Sequence, residues 1–532
     1  MRRRHQTRSR AAVLALVAGL VAVAGCSSVT RLPAGTVVGT SGGSAASPLA
    51  GGSADGGASS PTQSQSGLSG GGTGTSGGAT SGADLTAGGT PSGSTGNGRA
   101  TSPSGATSAG TPGATCSSVV KIGVSYSSDE QAGIAAIGHA GSAAAFSNYA
   151  ANIQRDYQLA VSDLNSRGGI DGCKVELVYH DFSALASDGF DGESQKECTD
   201  FAEDQHVFAA FTNALETRVL LTCMAQHHTP VFMDNSFEFV PTSADFTTYR
   251  GYLYEPDAVA LDRLGPVIDD LNAAGYFGAG PKVGILLADD GTGDRQRLVN
   301  SIWKPRLAAL GIPVASVFTF PQATGYAQLS DTSAQFDSAV LQFKAAGVNR
   351  VMITPDGGDS VIFFTQEAQS QNYHPLYGLT TYNAPSTLAW GPSAEAKGAM
   401  AVVWQATDVT NNVDDPSGAA YVEAANPPNS ARSRCDHIYA AASTTGIEGY
   451  EFYKWCDALN LMATALAHSA AVTPQALVSG VDALGGAFQA AATNGPSSFG
   501  PARYDGDVDV RVVKWSPAAG ELRYVTAPEA IP

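Results

Sequence analysis

Three groupings of acidic or histidine residues could in principle carry out chemistry, and each has a simpler explanation. The pair His227-His228 has no partner at catalytic spacing, which favours a histidine pair at a helix end. The acidic run Asp289–Asp294 suggests a calcium loop, but it lacks the EF-hand order and its terminal Glu, so a turn after a strand is favoured. The alternating acids at 505–509 are explained by a solvated hairpin. The sequence therefore nominates no catalytic residue, no metal site and no cofactor, and we expect a protein that is not an enzyme.

A different chemistry, the binding of a small polar molecule, is indicated where predicted strands end. The segment Thr212–Thr217 lies between a predicted strand and a predicted helix. Ligands of doubly wound sheets collect at the carboxyl ends of the strands, where helix N-termini present free N–H groups to anions. This loop is therefore the best candidate for a ligand contact, although a loop that only caps its helix has a similar composition.

The elements that must position such loops follow a strand–helix alternation from Cys116 onward. Ile153, Tyr157, Val161 and Leu164, for example, have the spacing of one helix face. Single helices between strands mean right-handed crossovers and a parallel sheet. The sequence thus predicts an α/β protein with two parallel sheets of four or five strands each. The first series of strands is Val119–Tyr126, Lys174–Phe182, Val207–Thr212 and Pro230–Asp234, and the second begins at Lys282–Ala288.

The composition excludes one large class of function. The chain has 532 residues, with 30 Lys and Arg against 48 Asp and Glu, and its formal net charge is −18. A protein that binds nucleic acid through the phosphate backbone needs a basic surface, so we expect no nucleic-acid partner. The part of the chain from Cys116 onward is long enough for two domains with cores of their own.

The first part of the chain is predicted to direct export. Five arginines precede an apolar run, Ala11–Ala24, that is too short for a permanent membrane helix. The run leads into Val23-Ala24-Gly25-Cys26, which resembles the lipobox of bacterial lipoprotein signal peptides. This resemblance implies a signal peptide of residues 1–25 and a lipid on Cys26; an ordinary secretory signal with a chance cysteine is the alternative. Residues 26–115 are rich in Gly, Ser and Thr, which predicts a disordered tether.

The cysteines agree with an exported protein. With Cys26 used for lipid, six remain, and this even number suggests three disulfides among fifteen possible connectivities. The sequence has no C-x-x-C pair and no His at metal-ligand spacing from a cysteine, so zinc is not expected. Cys116 and Cys173 precede strands that should be parallel neighbours, while Cys198 and Cys223 fall in two successive short helices. The favoured pairs are Cys116–Cys173, Cys198–Cys223 and Cys435–Cys456.

Two segments of the sequence resemble a known family. Residues 163–181, DLNSRGGIDGCKVELVYHD, are similar to the first helix, turn and strand of type I periplasmic binding proteins, in particular the branched-chain amino-acid (Leu/Ile/Val) binding proteins of ABC importers. Residues 499–505, FGPARYD, followed by VRVVKW at 510–515, resemble the C-terminal end of that family. The resemblance implies two doubly wound parallel-sheet lobes that are joined by three crossovers and close around a ligand. It divides the chain into lobe 1, 116–253 plus 405–503, and lobe 2, 254–404 plus 504–532.

The same resemblance implies which residues contact the ligand. Amino-acid binders of the family usually place an acid in the second lobe to pair the substrate ammonium, and the matching position here is Thr381, which is uncharged. Asp356 could replace that acid, or the ligand has no ammonium group, so we expect a small polar solute, with a branched-chain amino acid as one candidate. Asn213 and Ala214 would hold the substrate carboxylate. The implied ligand-binding residues are Asn213, Ala214, Asn235, Ser236 and Phe237 in lobe 1, and Thr292, Asp356, Thr381 and Tyr382 in lobe 2.

The leading interpretation is the solute receptor of an ABC importer. We expect a monomer that is anchored by the lipid on Cys26 to the outer face of the cytoplasmic membrane, closes on a small-molecule solute and docks on an ABC permease. One alternative is a sensing module that reports its ligand to a membrane receptor, because the same fold serves both purposes. A further alternative is an extracellular hydrolase, for which no catalytic constellation is found in the sequence.

Overall fold

The computed structural model describes residues 119–136, 149–233, 239–356, 358–389, 391–409, 421–422, 424–441, 449–467, 469–501 and 503–531. The predicted signal peptide, Cys26, the tether and Cys116 lie outside these residues, as do the predicted site residues Asn235, Ser236 and Phe237. All described residues belong to one compact unit, Pro103–Pro532. None of the described helices is both long enough and apolar enough to cross a membrane.

The first sheet contains five parallel strands in the described part of the chain, in the order β2-β1-β3-β4-β5. Strands β1 and β2 are parallel neighbours over their whole length, as the sequence predicts. Because β1 lies between β2 and β3, the strand order reverses beside β1, and such a switch point leaves a crevice at the carboxyl ends of the strands. The strands are β1 Val120–Tyr126, β2 Val175–Asp181, β3 Ala209–Phe211, β4 Val231–Phe232 and β5 Leu253–Tyr254.

The second sheet is larger than the sequence predicts, with eight strands in the described chain instead of four or five. Its order is β12-β11-β10-β9-β8-β6-β7, and β13 pairs with β11. The parallel series β6 to β10 has the expected size. In addition, β11 pairs with β10 in the antiparallel direction, and β12 and β13 both pair with β11. The strands are β6 Val283–Asp289, β7 Val314–Pro321, β8 Arg350–Ile353, β9 Leu376–Thr380, β10 Met400–Val403, β11 Asp509–Ser516, β12 Glu521–Tyr524 and β13 Glu529–Ala530.

Helices connect the parallel strands and cover the sheets. In β6 every residue from Val283 to Ala288 is buried, as expected of a central strand with both faces covered. The helices are α1 Glu130–Ala136, α2 Tyr149–Ser166, α3 Gly189–Cys198, α4 Arg218–Gln226, α5 Ser243–Thr248, α6 Val267–Ala273, α7 Asp294–Arg297, α8 Lys304–Ala309, α9 Tyr326–Ala346, α10 Asp359–Ser370, α11 Ser393–Ala396, α12 Ser430–Ala441, α13 Gly449–Leu466 and α14 Pro474–Leu484.

Three segments connect the two sheets and lie side by side. The first follows β5, the second follows β10 and the third precedes β11. The N–H of Glu255 in the first segment donates to the carbonyl of Tyr504 in the third at 3.2 Å. The side-chain amide of Gln405 in the second donates to the carbonyl of Asp257 in the first, also at 3.2 Å. The two lobes are therefore joined by three adjacent crossovers.

Asp505 and Asp507 lie in the third crossover and Asp509 begins β11, and the prediction of a solvated hairpin is wrong for the first two. Asp505 is 3% exposed and Asp507 is fully buried. The carboxylate of Asp505 accepts the N–H of Ala260 at 2.9 Å and forms an ion pair with Arg263. Burial raises the pKa of both aspartates. The sequence spacing is the same for an exposed hairpin and for a segment enclosed between two lobes, so only the packing distinguishes them.

After β10 the chain returns to the first sheet, where α12, α13 and α14 complete the hydrophobic core. Trp455 of α13 stacks on Tyr157 of α2, with ring centroids 4.6 Å apart. The buried carboxylate of Asp457 accepts the N–H groups of Ala491 at 2.6 Å and Ala492 at 2.8 Å. These contacts attach the segment before the third crossover to lobe 1. The lobe boundaries stated above remain a prediction.

Two of the three expected disulfides lie within the described residues. Cys198 of α3 is bonded to Cys223 of α4, and Cys435 of α12 is bonded to Cys456 of α13. Cys173 also forms a disulfide, and its expected partner lies outside the described residues. His227 is close to Cys198 and Cys223, but their sulfurs are joined to each other and are not free thiolates for a metal.

Removal of the Cys198–Cys223 disulfide is expected to destabilise the protein. The two cysteines are 25 residues apart, and closing a loop of this length lowers the entropy of the unfolded chain. The double substitution Cys198→Ser/Cys223→Ser should therefore reduce the free energy of unfolding by about 3 kcal/mol, as measured by urea titration. The Cys435→Ser/Cys456→Ser pair, with a separation of 21 residues, should give a similar loss. Unchanged stability in both double variants would contradict this account.

Candidate ligand-binding site

The loop after β3 places a carboxylate of its own on the backbone donors that are predicted to hold a ligand. Glu216 accepts the N–H of Asn213 at 3.0 Å and the N–H of Ala214 at 3.0 and 3.1 Å. The hydroxyl of Ser125, at the end of β1, also donates to Glu216. All four residues are buried. The anion-binding donors of this loop are therefore occupied by the protein itself.

A second buried carboxyl, that of Glu197 on α3, lies close to this loop. Glu197 is fully buried, and neither of its carboxyl oxygens has a hydrogen-bond partner of standard geometry among the described residues, although the Ser125 hydroxyl is close enough to lower its pKa in part. Burial, followed by repulsion from Glu216, raises the pKa of Glu197 well above its usual value. Burial also raises the pKa of Glu216, although hydrogen bonds from Ser125 and from the loop oppose the shift. Since two neighbouring buried carboxylates resist ionising together, we expect the pair to retain a proton near neutral pH.

The side chain of Asn213 provides a donor at the same loop. It is 7% exposed, and within the described ranges its Nδ2 has no hydrogen-bond partner. Buried side-chain amides are normally satisfied, so an unpaired one at the carboxyl end of a strand is a candidate ligand contact. Ala214 and Leu215 of this loop pack in one apolar cluster with Tyr326 of lobe 2. The loop therefore faces the other lobe.

In lobe 2 the polar groups at the ends of β6 and β8 surround Arg295 of α7. This guanidinium is fully buried and donates to the carbonyl of Pro355 at 2.6 Å. It forms an ion pair with Asp290 at 2.8 Å and a hydrogen bond to Gln322 at 2.5 Å. Its Nη2 has no partner in the part of the chain that the structure describes. Arg295 is thus a buried cation with one donor nitrogen left over.

Asp356 follows β8 and lies next to Arg295. Burial raises the pKa of Asp356, while hydrogen bonding and the charge of Arg295 lower it in part. One carboxylate oxygen accepts the N–H of Gly358 at 3.2 Å and the side-chain amide of Asn383 at 3.2 Å. The other oxygen, Oδ2, and the hydroxyl of Ser360 have no hydrogen-bond partner of standard geometry among the described residues. Asp356 therefore has an acceptor available for a ligand.

Thr381 and Tyr382 make hydrogen bonds within the protein. The Thr381 hydroxyl donates to Asp408 at 2.6 Å and accepts the N–H of Trp404 at 3.0 Å. The Tyr382 hydroxyl donates to the carbonyl of Val259 in the first crossover at 2.8 Å. Both residues are buried. Their contacts therefore link the end of β9 to the crossover region.

Among the described residues, the two lobes touch each other beside these loops, and two of these contacts involve polar atoms. Arg218, at the start of α4, lies 3.8 Å from the carboxylate of Asp294, at the start of α7. The N–H of Phe190 donates to the carbonyl of Thr324 at 2.9 Å, and its ring meets the ring of Tyr326 edge-on at 6.0 Å. The first contact is electrostatic, and the second combines a backbone hydrogen bond with an aromatic contact. The structure therefore shows the two lobes in contact beside the loops at their strand ends.

The structure places the predicted site residues in three different situations. Asn213, Ala214 and Asp356 are buried at strand ends that face the cleft, and two of them carry side-chain atoms without partners in the described chain. Thr292 is exposed, and its hydroxyl donates to Asp290 of its own turn at 2.7 Å. Thr381 and Tyr382 belong to the crossover region. Asn235, Ser236 and Phe237, which follow β4, lie outside the described residues.

Sequence reasoning missed Glu216, Glu197 and Arg295 as members of this region. A usable signal existed for Glu216, since a carboxylate two or three residues from free N–H groups can cap them. Glu197 and Arg295 gave no such signal, because charged residues on helices are mostly exposed. Their burial depends on what packs against α3 and α7, which the local sequence does not reveal.

Comparison with known proteins gives no match to a protein-family profile and none to a curated protein sequence. Solved structures do match. A branched-chain amino-acid ABC transporter protein from Thermus thermophilus with bound valine has 14% identity and a TM-score of 0.53, over 78% of this chain and 97% of that one. A leucine-binding protein from Thermotoga maritima has 14% identity and a TM-score of 0.53, over 77% and 99%. A fatty-acid ABC transporter substrate-binding protein from Thermomonospora curvata has 15% identity and a TM-score of 0.52, over 79% and 95%.

These similarities, together with the sheet topology, define the class of fold. The chain has the type I periplasmic binding fold, with two parallel-sheet α/β lobes joined by three crossovers. The fold expected from the sequence is confirmed. At this low sequence identity the likeness establishes the architecture, and the function has to be argued from the site.

Proposed function

We propose that this protein is the solute-binding component of an ABC importer. It captures a small polar solute between its two lobes and presents the closed form to a membrane permease. In this proposal the protein is exported, held by the lipid on Cys26 and the tether 26–115, and acts as a monomer without catalysis. Two of the three similar structures are named as parts of ABC transporters and the third as a leucine-binding protein, which supports the proposal.

The observation that carries the proposal is a set of buried polar atoms at the carboxyl ends of both sheets. Within the described residues, Asn213 Nδ2 in lobe 1 and Arg295 Nη2 in lobe 2 have no hydrogen-bond partner, and Asp356 Oδ2 has none of standard geometry, although the Ser360 hydroxyl is close enough to lower the pKa of Asp356. Leaving one such group unpaired costs about 1–3 kcal/mol, so native proteins rarely keep several together without a use for them. A ligand with donors and acceptors, held between the lobes, would satisfy them.

An apolar cluster beside these atoms supports a solute with a hydrocarbon part. Phe182, Phe190 and Leu215 of lobe 1 belong to the same buried cluster as Phe320 and Tyr326 of lobe 2. Valine and leucine, which appear in the names of two similar structures, combine a polar head with a branched apolar side chain. We therefore place the solute in the amino-acid size range, with a branched side chain as the candidate for its apolar part.

A thermal-shift screen of amino acids, their amides and small acids tests this proposal. At 100 times its dissociation constant, a true ligand is expected to add about 2.7 kcal/mol to the free energy of unfolding. Asn213→Ala should weaken that response and leave the unliganded melting temperature nearly unchanged, because Nδ2 makes no hydrogen bond within the described structure.

Asn494→Ala is the matched control for Asn213→Ala. Its side-chain amide donates to the carbonyl of Val403 at 3.1 Å, so this substitution should lower the unliganded melting temperature. A screen in which no solute raises the melting temperature would contradict the proposed function. A fall in the unliganded melting temperature of Asn213→Ala, as large as that of the control, would show that Asn213 is structural.

A further inference from the structure

The chemistry of the loop after β3 points to a particular class of solute, and this inference rests on the proposed function. The N–H groups of Asn213 and Ala214 donate to Glu216, and the N–H of Asn213 is shared with the hydroxyl of Ser125 at 3.0 Å. A ligand carboxylate could use these donors only by displacing the carboxylate of Glu216. Because Glu216 is attached to the same loop, its effective concentration at these donors is far above that of a free solute.

The surroundings of Glu216 also disfavour a second anion. Within the described chain, the charged groups that shift the pKa of Glu197 are Glu216, Asp200 and Glu193, and all three are acidic. Glu193 is itself buried and is ion-paired with Lys196, so the acid that acts on this loop is mainly Glu216. An anionic ligand head placed here would meet like charges in a region of low dielectric constant, where repulsion is strong. The loop is therefore suited to a group of the opposite charge.

The atoms that remain unpaired fit a cationic donor and a neutral acceptor. Both carboxyl oxygens of Glu197, and Oδ2 of Asp356 in the other lobe, are buried acceptors without a hydrogen-bond partner of standard geometry among the residues described. An ammonium group has three donors and no acceptor, and its charge strengthens hydrogen bonds to carboxylates. Two unpaired donors, Asn213 Nδ2 and Arg295 Nη2, fit a carbonyl or hydroxyl oxygen. Since Arg295 is already ion-paired with Asp290, its charge is largely compensated.

We infer that the solute carries a cationic amine and a neutral oxygen acceptor in place of a carboxylate, as in an amino-acid amide or an amino alcohol. The amine is neutralised by the carboxyl groups of Glu197 and Glu216 in lobe 1. The oxygen acceptor receives a hydrogen bond from Asn213. Glu216 is then a specificity-determining residue, because its carboxylate takes the place that the carboxylate of an α-amino acid would need.

Titration calorimetry with matched probes tests this inference on the purified protein. One series is leucine, leucinamide, 4-methylpentanoate and 4-methylpentanamide, and the second contains the corresponding four derivatives of phenylalanine. These probes separate the ammonium group from the carboxylate at constant side chain. In at least one series the amino-acid amide is expected to bind at least tenfold more tightly than the other three compounds. Equal or tighter binding of the amino acid or the acid would overturn the inference, as would the absence of binding in both series.

Substitutions of Glu216 and Glu197 test whether these residues cause the preference for an amide over an amino acid. Glu216→Ala frees the loop donors, so it should improve the binding of leucine or phenylalanine at least tenfold and weaken that of the amide. Glu197→Gln keeps the shape of the side chain and should weaken amide binding at least tenfold, which provides a test if Glu216→Ala does not fold. Glu176→Ala removes an exposed carboxylate from β2 and is the control for net charge. Unaltered preference in Glu197→Gln and in a folded Glu216→Ala would overturn the role of these residues.

The solute screen described above separates this inference from the proposed function. If the screen finds a ligand whose carboxylate is required, the inference fails and the proposed function stands. If no solute of any kind raises the melting temperature, both fail. If an amine without a carboxylate is found, both are supported, and Glu216→Ala then decides whether Glu216 sets the preference.

Discussion

Asp408→Asn is expected to make the protein more stable above neutral pH and to leave its stability near pH 4 almost unchanged. Asp408 is 6% exposed, follows the second crossover and accepts the hydroxyl of Thr381 at 2.6 Å. Burial raises the pKa of this carboxyl from 3.8 to about 7. The folded state therefore binds a proton more readily than the unfolded state between these two pH values.

The sign of the pH dependence follows from this linkage. A raised carboxyl pKa means that stability is lost as the pH rises from about 4 through about 7, and the loss is complete above 7. A shift of about 3 pH units corresponds to about 4 kcal/mol. Asn at position 408 cannot ionise and keeps an oxygen that accepts from Thr381. The variant should therefore gain up to about 4 kcal/mol over the wild type at pH 8.

Urea unfolding at pH 4, 6 and 8 measures this difference. Asp331→Asn, which removes an exposed carboxylate from α9, is the matched control and should follow the wild type at all three pH values. Other buried acids, such as Asp457 of α13 and Asp507 of the third crossover, also have raised pKa values, so only the difference between wild type and variant isolates Asp408. Parallel pH profiles for the wild type and Asp408→Asn would contradict the assignment.

Arg295→Met is expected to lower the free energy of unfolding by about 3–5 kcal/mol. Methionine retains much of the apolar volume, but the buried ion pair with Asp290 and the hydrogen bonds to Pro355 and Gln322 are lost. The cost arises mainly because Asp290 and Asp356 lose the cation that compensates them. Without Arg295 the pKa of Asp356 should rise further, since Arg295 lowers it in the wild type.

A double-mutant cycle distinguishes loss of charge compensation from loss of packing. Adding Asp356→Asn to Arg295→Met should recover about 0.5–3 kcal/mol, because the uncompensated acid is removed together with its cation. Arg297→Met, a neighbour on the same helix whose side chain is 67% exposed, should change the stability by less than about 0.5 kcal/mol. Equal losses in Arg295→Met and Arg297→Met, or strictly additive effects in the cycle, would contradict the proposed charge compensation.

Much of the fold could be predicted because its signals are local. The apolar runs that become β1 and β2 and the helical spacing of α2 are properties of short windows of sequence. The Cys198–Cys223 disulfide was predicted because these cysteines lie on successive helices, and Cys435–Cys456 was predicted as the remaining pair. The size of the second sheet could not be predicted in this way. β11 pairs with β10, although about a hundred residues, including three helices of lobe 1, lie between them in the sequence.

The candidate site was predicted only in part. The loops at the ends of β3 and β8 were expected to face the ligand, and Asn213 and Asp356 do carry unpaired atoms there among the described residues. The predicted use of the Asn213 and Ala214 N–H groups for a ligand carboxylate remains a prediction, and Glu216 competes with it. A sequence pattern indicates that a loop has free donors, but not whether another side chain reaches them first.

The sequence by itself determined the alternation of strands and helices, the acidic charge and the placement of the strand-end loops, because each depends on residue types within a short window. Only the tertiary structure decided which polar groups are already paired. Ser125 and Glu216 are 91 residues apart along the chain and form a hydrogen bond, and Arg218 meets Asp294 from the opposite lobe. Whether a hydrogen bond forms depends on differences of a few tenths of an ångström in the donor–acceptor distance. For segments that are far apart in the chain, this distance is set only when the lobes have packed.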